Sequence, residues 1–560
     1  LSPLATTSIE GITGTWSPAI NNTATTTYTF TPNSGQCTAN TSSMTIVIDS
    51  CDGSTFMHIA PGGLVSIDAG SVLYIKRELN VDSDGELSIK SDATSSGSLI
   101  VSGTVSGDIT YKRYVTSSGT TEIGTDWHLV SAPVTSQNIP AFVGDGGNGV
   151  SQSGTTNNYA VSYYKNTNTA TKRWTYHNTV NTAPENQETL TNFVSGLGYS
   201  MNRTASGDYT FKGAMANADV QVSIPTVSSG THFWSSIGNP YPSFLPATNA
   251  ANVTNNVLKD NADKLDASFA FLYVWDGSAY VPIGHSTDLQ LAPGQAFMVN
   301  AKSVSETFTF SKSLQNHKSD AAVFYRTGSS IPSISLNLSN GSKNKSTKLE
   351  FLDNVTTGLD VGYDAGTYKD GEPSFSLDTH LVTDSQGIDF TIQALPTSIL
   401  DSDVAIRLSV RAAAGEQITF SVSTNNLADG VTVYLEDTQN NTFTNLSDAS
   451  YQLTLKSALN GIGRFYLRTS STVLSIEDNA LANMLNLYKT TNNSIRITGL
   501  DTQGNAALRM YSVSGKEVFI KQFVAQRVKD INLPTNLASG LYIVKVVSEK
   551  GEFNKKLIIE

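Results

Sequence analysis

Between residues 61 and 111 small apolar pairs recur with one polar position between their members: Val65/Ile67, Leu73/Ile75, Leu79/Val81, Leu87/Ile89 and Leu99/Val101. Successive pairs are offset by eight, six, eight and twelve residues, so alternate pairs lie fourteen, fourteen and twenty apart. This spacing predicts a few coils of a β-helix, each coil burying its pair against the next. A plain meander of hairpins is the alternative. From Gly11 to Ile48 the runs TGTWSPAI, TTTYTFTP and SSMTIVI alternate over short stretches broken by Asn, Gly and Pro, the texture of a β-sandwich repeat. At the far end Leu541, Ile543, Lys545 and Val547 alternate with Tyr542, Val544 and Val546, and Gly551 then turns the chain into Lys555-Lys556-Leu557-Ile558-Ile559. A closing hairpin is predicted, with Tyr542, Val544 and Val546 on its buried face. Only LSIEDNALANMLN, residues 474–486, has helix-like content, and it reads as a linker with one or two helical turns.

These patterns define an all-β fold class: tandem β-sandwich or Ig-like domains, a short β-helix-like spacer and a C-terminal Ig-like domain. The expected divisions are 1–50 (a partial Ig-like repeat), 52–111 (spacer), 112–326 (β-sandwich), 331–471 (second β-sandwich), 472–486 (linker) and 487–560. Several domains are expected at 560 residues, because single cores rarely grow past roughly 250–300 residues. The Gly-rich stretch from Gly144 to Gly154 is expected to be a mobile loop. In Gly238-Asn239-Pro240-Tyr241-Pro242-Ser243 two prolines fix φ and Gly238 is expected to supply φ > 0, giving a rigid corner.

Several segments resemble known families. Trp16-Ser17-Pro18, Tyr28-Thr29-Phe30-Thr31-Pro32 and Cys37 resemble the Ig-like repeats of Bacteroidetes surface adhesins. The strand Trp127-His128-Leu129-Val130-Ser131-Ala132-Pro133, the turn from Gly238 to Ser243 and the strand Ala292-Pro293-Gly294-Gln295-Ala296-Phe297 resemble a β-sandwich module of secreted proteins from the same bacteria. GLDVGYDAGTYKDGEPSFSL, residues 358–377, is similar to the domain that often precedes a C-terminal sorting domain. From Leu487 to Glu560 the chain resembles the type A C-terminal sorting domain of the type IX secretion system. The resemblance is carried by the Ser514-Gly515-Lys516-Glu517-Val518 turn, the Leu537-to-Lys545 strand and the closing basic-apolar strand. It departs at the start, where Leu487-Tyr488 is followed by Lys489-Thr490-Thr491 rather than by a Y-P-N-P-like segment.

The resemblance implies a sorting signal at Gly515, Lys516, Val518, Gly540, Tyr542, Val544, Lys545, Lys555 and Lys556. Its partners would be the outer-membrane translocon and a β-barrel shuttle protein, and the chain would reach the cell surface or the medium. From the residues themselves, Gly515 is expected to hold a φ > 0 turn and Gly540 to let its strand enter without a Cβ clash.

Composition narrows the function. Charged residues are 15% and the net charge is −12, which gives no reason to approach nucleic acid or an anionic membrane. The first residues carry no charged and apolar leader, so an export signal is expected to lie upstream of Leu1 or to have been removed. Cys37 and Cys51, the two cysteines, either close a short loop as a disulfide or stay as partly buried thiols.

No catalytic signature is present. The seven histidines (His58, His128, His177, His232, His285, His317, His380) have no metal-ligand spacing, and there is no nucleophile elbow or phosphate loop. The acidic clusters Asp82/Asp84/Glu86 and Asp360/Asp364/Asp370/Glu372 could take calcium but do not fit the twelve-residue loop, and solvated loop acids are the plainer reading. Trp174, Tyr176, Trp234 and Trp275 could stack on sugars or pack in cores.

The expected protein is therefore not an enzyme, and no cofactor is expected. It is a secreted or surface-displayed adhesin or scaffold, in attachment or gliding, with a surface glycan or lipopolysaccharide as further partner. The alternative is a carbohydrate-binding or accessory part of a larger polysaccharide-degrading enzyme.

Overall fold

The computed structural model describes residues 4–8, 11–21, 24–36, 41–46, 56–117, 126–179, 185–225, 232–318, 331–402, 404–470, 485–490, 494–500, 504–513, 515–535, 537–548 and 551–559. Cys37 and Cys51, the helix-like segment up to residue 484 and the polar join at 327–330 lie outside them. Strands dominate throughout, so the all-β class holds. The chain divides into two compact units, Leu1–Gly328 and Ser329–Glu560. Among the described residues no helix is long and apolar enough to cross a membrane.

The first unit opens with a three-stranded antiparallel sheet, Gly14–Ser17, Thr26–Pro32 and Ser42–Ile46, in which Trp16 packs on Phe30 with ring centres 5.2 Å apart. A parallel solenoid follows. Phe56–Ile59 pairs with Glu78–Val81 and that with Thr104–Ser106; Leu64–Ile67 pairs with Glu86–Lys90 and that with Ile109–Val115; Val72–Ile75 pairs with Ser98–Val101. The five apolar pairs all point inward: Leu79, Leu87 and Leu99 are fully buried, while Val65 and Leu73 of the first coil pack on the same core.

The coil is wider than the fourteen-residue spacing suggested. It has three faces, so Val65 stacks beside Leu87 and Leu73 beside Leu99, and successive pairs belong to successive faces of one coil. Side chains across the coils show the same step: Lys90 reaches Asp68 over 22 residues and Ser106 reaches Asn80 over 26.

The division expected after Tyr111 falls inside a strand. Ile109–Val115 is parallel to Glu86–Lys90 on one side and antiparallel to Gly207–Gly213 on the other, so the solenoid continues into the next region as one sheet. One apolar core accordingly runs from Ile59 to Met215, and a second from Ala216 to Leu314. The stretch 112–326 is thus shared between two cores. Over the first lies a five-stranded sheet in the order Trp127–Val130, Tyr199–Asn202, Asn158–Tyr164, Trp174–Asn178, Gln187–Glu188. The second includes a four-stranded sheet, Trp234–Gly238, Ala296–Asn300, Leu272–Trp275 and Tyr280–Ile283.

Three sequence segments singled out separately meet between these sheets. A Cβ on Gly238 would lie 2.7 Å from Ser131 Cβ and 2.8 Å from Ala296 Cα, so only glycine lets the three strands approach. Gly238 is not at positive φ; close approach explains it. The corner is pinned by Asn239, whose buried side chain donates to the carbonyls of Ser243 (2.8 Å), Leu291 (3.2 Å) and Ala292 (3.1 Å). The stretch from Gly144 to Gly154 is also pinned. It contains a helical turn, Gly146–Asn148, and the Arg203 guanidinium donates to the carbonyls of Gly147 and Asn148.

In the second unit, residues 331–470 form one continuous sheet. It runs from Thr442–Asn445 through Thr432–Asp437, Leu459–Ser470, Ile406–Ala412, Ser376–His380, Phe390–Pro396, Asn344–Leu352, Ser333–Ser339 and Gln417–Asn425 to Tyr451–Thr454. It rolls over on itself, bringing Phe420 within 4.8 Å of Phe465 (ring centres) around a single core. The two faces expected of a sandwich are two halves of one rolled sheet.

The last 75 or so residues form two small sheets. Asn486–Lys489, Ser494–Thr498 and Val528–Asn532 make one; Glu517–Val524, Asn505–Ser512, Gly540–Ser548 and Gly551–Ile559 make the other. Between them lies a core of Leu487, Ile495, Ile497, Leu508, Met510, Ile531, Tyr542, Val544, Val546, Leu557 and Ile559.

Candidate functional site

The closing hairpin pairs Gly540 with Ile559, Val544 with Lys555 and Ser548 with Gly551. Alternation does the rest: Tyr542, Val544 and Val546 are buried, whereas Leu541 and Ile543 are 42% and 38% exposed on the other face. Ile558, opposite Leu541 on the outermost strand, is 65% exposed. Gly515 sits at φ 81° in the turn after Asn505–Ser512, and its N–H donates to the Ser512 carbonyl at 2.8 Å. Ser512 pairs with Tyr542, so the Gly515-Lys516-Val518 turn, Gly540 and the end of the last strand share one end of the sheet. Gly540 is not sterically required, since a Cβ there would meet only Tyr542 Cε2, at 4.0 Å.

The basic residues divide. Lys516 and Lys556 face solvent, and Lys545 pairs with Glu552 at 2.5 Å. Lys555 is half-buried, and its Nζ donates to the Ser385 carbonyl (2.9 Å) and to Asn486 Oδ1 (3.3 Å). Burial pulls its pKa down to about 8; the Arg407 charge acts in the same direction and that of Asp384 against it.

A second site lies in the first unit, where Trp127, Leu129, Trp174, Tyr176, Ser200, Trp275 and Tyr280 line an open cleft of about 280 Å³. Register explains the groove. Leu129 is opposite Ser200, Ser200 opposite Ser162 and Ser162 opposite Tyr176, so one row across the sheet has large residues at its ends and two serines between. Ser200 leaves a floor, with Ser162 buried beside it. Trp127 and Tyr176 meet edge to face at 6.0 Å, and Tyr164 supports Trp174 at 5.2 Å. The other wall is the hairpin Leu272–Trp275 with Tyr280–Ile283, in which Trp275 and Tyr280 are a cross-strand pair with rings 5.0 Å apart. Burial raises the Tyr176 phenol pKa, so it stays a neutral donor and acceptor. The Trp275 indole N–H is buried without a hydrogen-bond partner.

Of the four aromatic residues expected to stack or pack, Trp174, Tyr176 and Trp275 come together here. Trp234 does not: it is 5% exposed and packs on Tyr273 and Phe269 in the core. Sequence reasoning missed Trp127 and Tyr280 as wall residues. The signals available were Trp127 and Leu129 two apart on one strand, and an aromatic residue on each side of the Asp276-to-Ala279 turn.

Among the described residues no three metal-ligating side chains converge. Asp82 bonds His58 at 2.9 Å, while Asp360 and Asp364 accept backbone N–H groups of Thr356, Asp360 and Ala394. Ser385 Oγ lies 3.4 Å from His380 Nδ1, and His380 Nε2 lies 2.7 Å from Asp389 Oδ1. Burial alone would raise the Asp389 pKa, but the hydrogen bond and charge of His380, together with Lys369, hold it well below the carboxylate range. Ser385 is only 1% exposed, so this series is an internal polar network.

Residues 490–560 match the secretion system C-terminal sorting domain. The match starts just after the first strand, Asn486–Lys489. The protein is a type IX secretion cargo, exported across the outer membrane to the cell surface or extracellular space. No curated protein matches the chain. Residues 11–468, most of the chain, match the family described as Domain of unknown function (DUF8693), and the chain belongs to that family.

Proposed function

We propose that the exported protein is an adhesin that holds extracellular carbohydrate in the aromatic cleft of its first unit. The cleft itself carries the reading: three tryptophans and two tyrosines around a serine floor, with no charged side chain among the lining residues. Sugar rings present flat faces of C–H groups that stack on indole and phenol rings, and hydroxyls that pair with tyrosine O–H and indole N–H. Nucleic-acid bases also stack, but their phosphates need cations, and neither the lining nor a net charge of −12 supplies them. A neutral polysaccharide fits best. At about 280 Å³ the cleft lies at the small end of small-molecule sites, which suits a short stretch of a longer chain crossing it.

In this reading the chain reaches the surface through the translocon and a shuttle protein that accepts the closing hairpin, and the passenger then works by contact, in attachment or gliding. An accessory role beside a polysaccharide-degrading enzyme would use the same cleft.

The test is binding of the full chain to an array of neutral and acidic glycans, followed by calorimetry on the hits. Trp275→Ala and Ser200→Phe, the second of which fills the floor, are each expected to weaken a neutral-glycan hit at least tenfold with secondary structure unchanged. Absence of any neutral-glycan hit, or hits unaffected by both variants, would overturn the proposal.

A further inference from the structure

The rolled sheet of residues 331–470 and the sorting domain, both in the second unit, meet at four places. Lys555 of the last strand donates to the Ser385 carbonyl. Tyr488 of the first strand lies against Gly387, where a Cβ would come 2.4 Å from its ring, and its ring centre is 6.2 Å from that of His380. Arg407 donates through Nη2 to the Leu485 carbonyl (3.3 Å) and through Nη1 to the carbonyls of Leu381 (3.2 Å) and Val382 (2.9 Å), tying the start of the sorting domain to the turn that receives Lys555. Arg527 donates to the Thr438 carbonyl, and beside it Val528 Cγ2 lies 2.6 Å from where Gly463 would carry a Cβ.

These contacts are those of a built seat. Both glycines on it are at positive φ, 81° and 117°, and each faces a side chain of the sorting domain. Lys555 is the more telling. Its ammonium is half-buried between two neutral oxygens, one from each partner, an arrangement that costs desolvation and has no use in a free-standing domain. The sorting domain is also short, and domains of that size bury a limited share of their surface and are marginal alone.

We propose that the 381–389 turn, Arg407 and Gly463 form a seat for the sorting domain, so that its first and last strands are fully ordered only on a folded 331–470 sheet. The export address thereby reports on the folding of the passenger's end. The seat's occupant is a segment of the same chain, and the inference is independent of the glycan cleft.

Hydrogen exchange on the full chain, paired with an export assay in a bacterium with a type IX system, tests this. Gly387→Ala alters only the seat and Tyr488→Ala only its occupant. Both are expected to speed exchange of amides 485–489 and 551–559 about tenfold while Ser333–Ser339 and Ile406–Ala412 stay protected, and to leave protein in the periplasm; Tyr488→Phe should behave as wild type. If Gly387→Ala exposes the rolled sheet itself, Gly463→Ala takes its place as the seat variant. Sorting strands that exchange at the wild-type rate in both seat and occupant variants would overturn the proposal, as would loosened strands with undiminished export.

Discussion

The residues expected to carry the sorting signal come from one stretch, Gly515 to Lys556, in neighbouring strands of a single small sheet, whereas the cleft collects its walls from Trp127 to Tyr280 across two sheets. The first is encoded by order along the chain and the second by register between distant strands. A local device can be moved to a new passenger only together with the 331–470 sheet that seats it. A site assembled from several strands depends on every register that precedes it, and on Gly238 and Asn239, which fix how the two sheets meet. The contrast implies that export and binding fail separately.

The largest effect should come from deleting residues 487–560. Surface display is expected to vanish, with the passenger retained in the periplasm and its glycan binding intact after purification; surface display at the wild-type level would break the comparison at its root.

Trp234 and Trp275 sharpen it next, since they lie in the same four-stranded sheet with opposite surroundings. Trp234→Ala removes a core side chain that packs on Tyr273 and Phe269, and a loss of about 3–5 kcal/mol in denaturant unfolding of this unit is expected. Trp275→Ala should cost under about 1.5 kcal/mol, because part of the ring is already solvated, while glycan affinity falls. Equal losses of stability would mean that the cleft wall is structural.

Those two tryptophans also mark the limit of what the sequence could show. Both sit on strands, and the period of two says which residues share a face without saying whether another element covers that face. The inward pairs of the solenoid and the buried Tyr542-Val544-Val546 face were legible because their burial follows from period alone. The coil length was not, since counting pairs along the chain cannot tell the next face from the next coil. Asn239 was hidden for a related reason: its partners at Leu291 and Ala292 lie 52 and 53 residues further along the chain. Lys555 and Lys556 read as one basic doublet, yet adjacent positions on a strand point to opposite faces, and only the docked sheet makes one of them a buried pin.

The smallest effect expected is a pH dependence carried by Lys555. Its pKa in the docked state is about 8, below the roughly 10.4 of a free lysine, because burial and Arg407 oppose the charge while Asp384 supports it. Below about pH 8 the lysine is protonated in both states and the docked state bears a constant penalty. Between about 8 and 10.4 the undocked state binds more protons than the docked one, so docking gains stability as pH rises, and above that window the penalty is gone. The ammonium is partly open to solvent, and screening reduces the full effect to ~1 kcal/mol, about a fivefold change in the opening equilibrium. Exchange of amides 551–559, corrected for the intrinsic rate, should therefore slow about two- to threefold relative to the rolled sheet between pH 7.5 and 9.5, a little over half of the full effect. Lys555→Met should flatten that slope. A slope of the opposite sign would mean that the charged ammonium, rather than the packing of its stem and the two hydrogen bonds, holds the hairpin down, and the seat would then loosen in alkali.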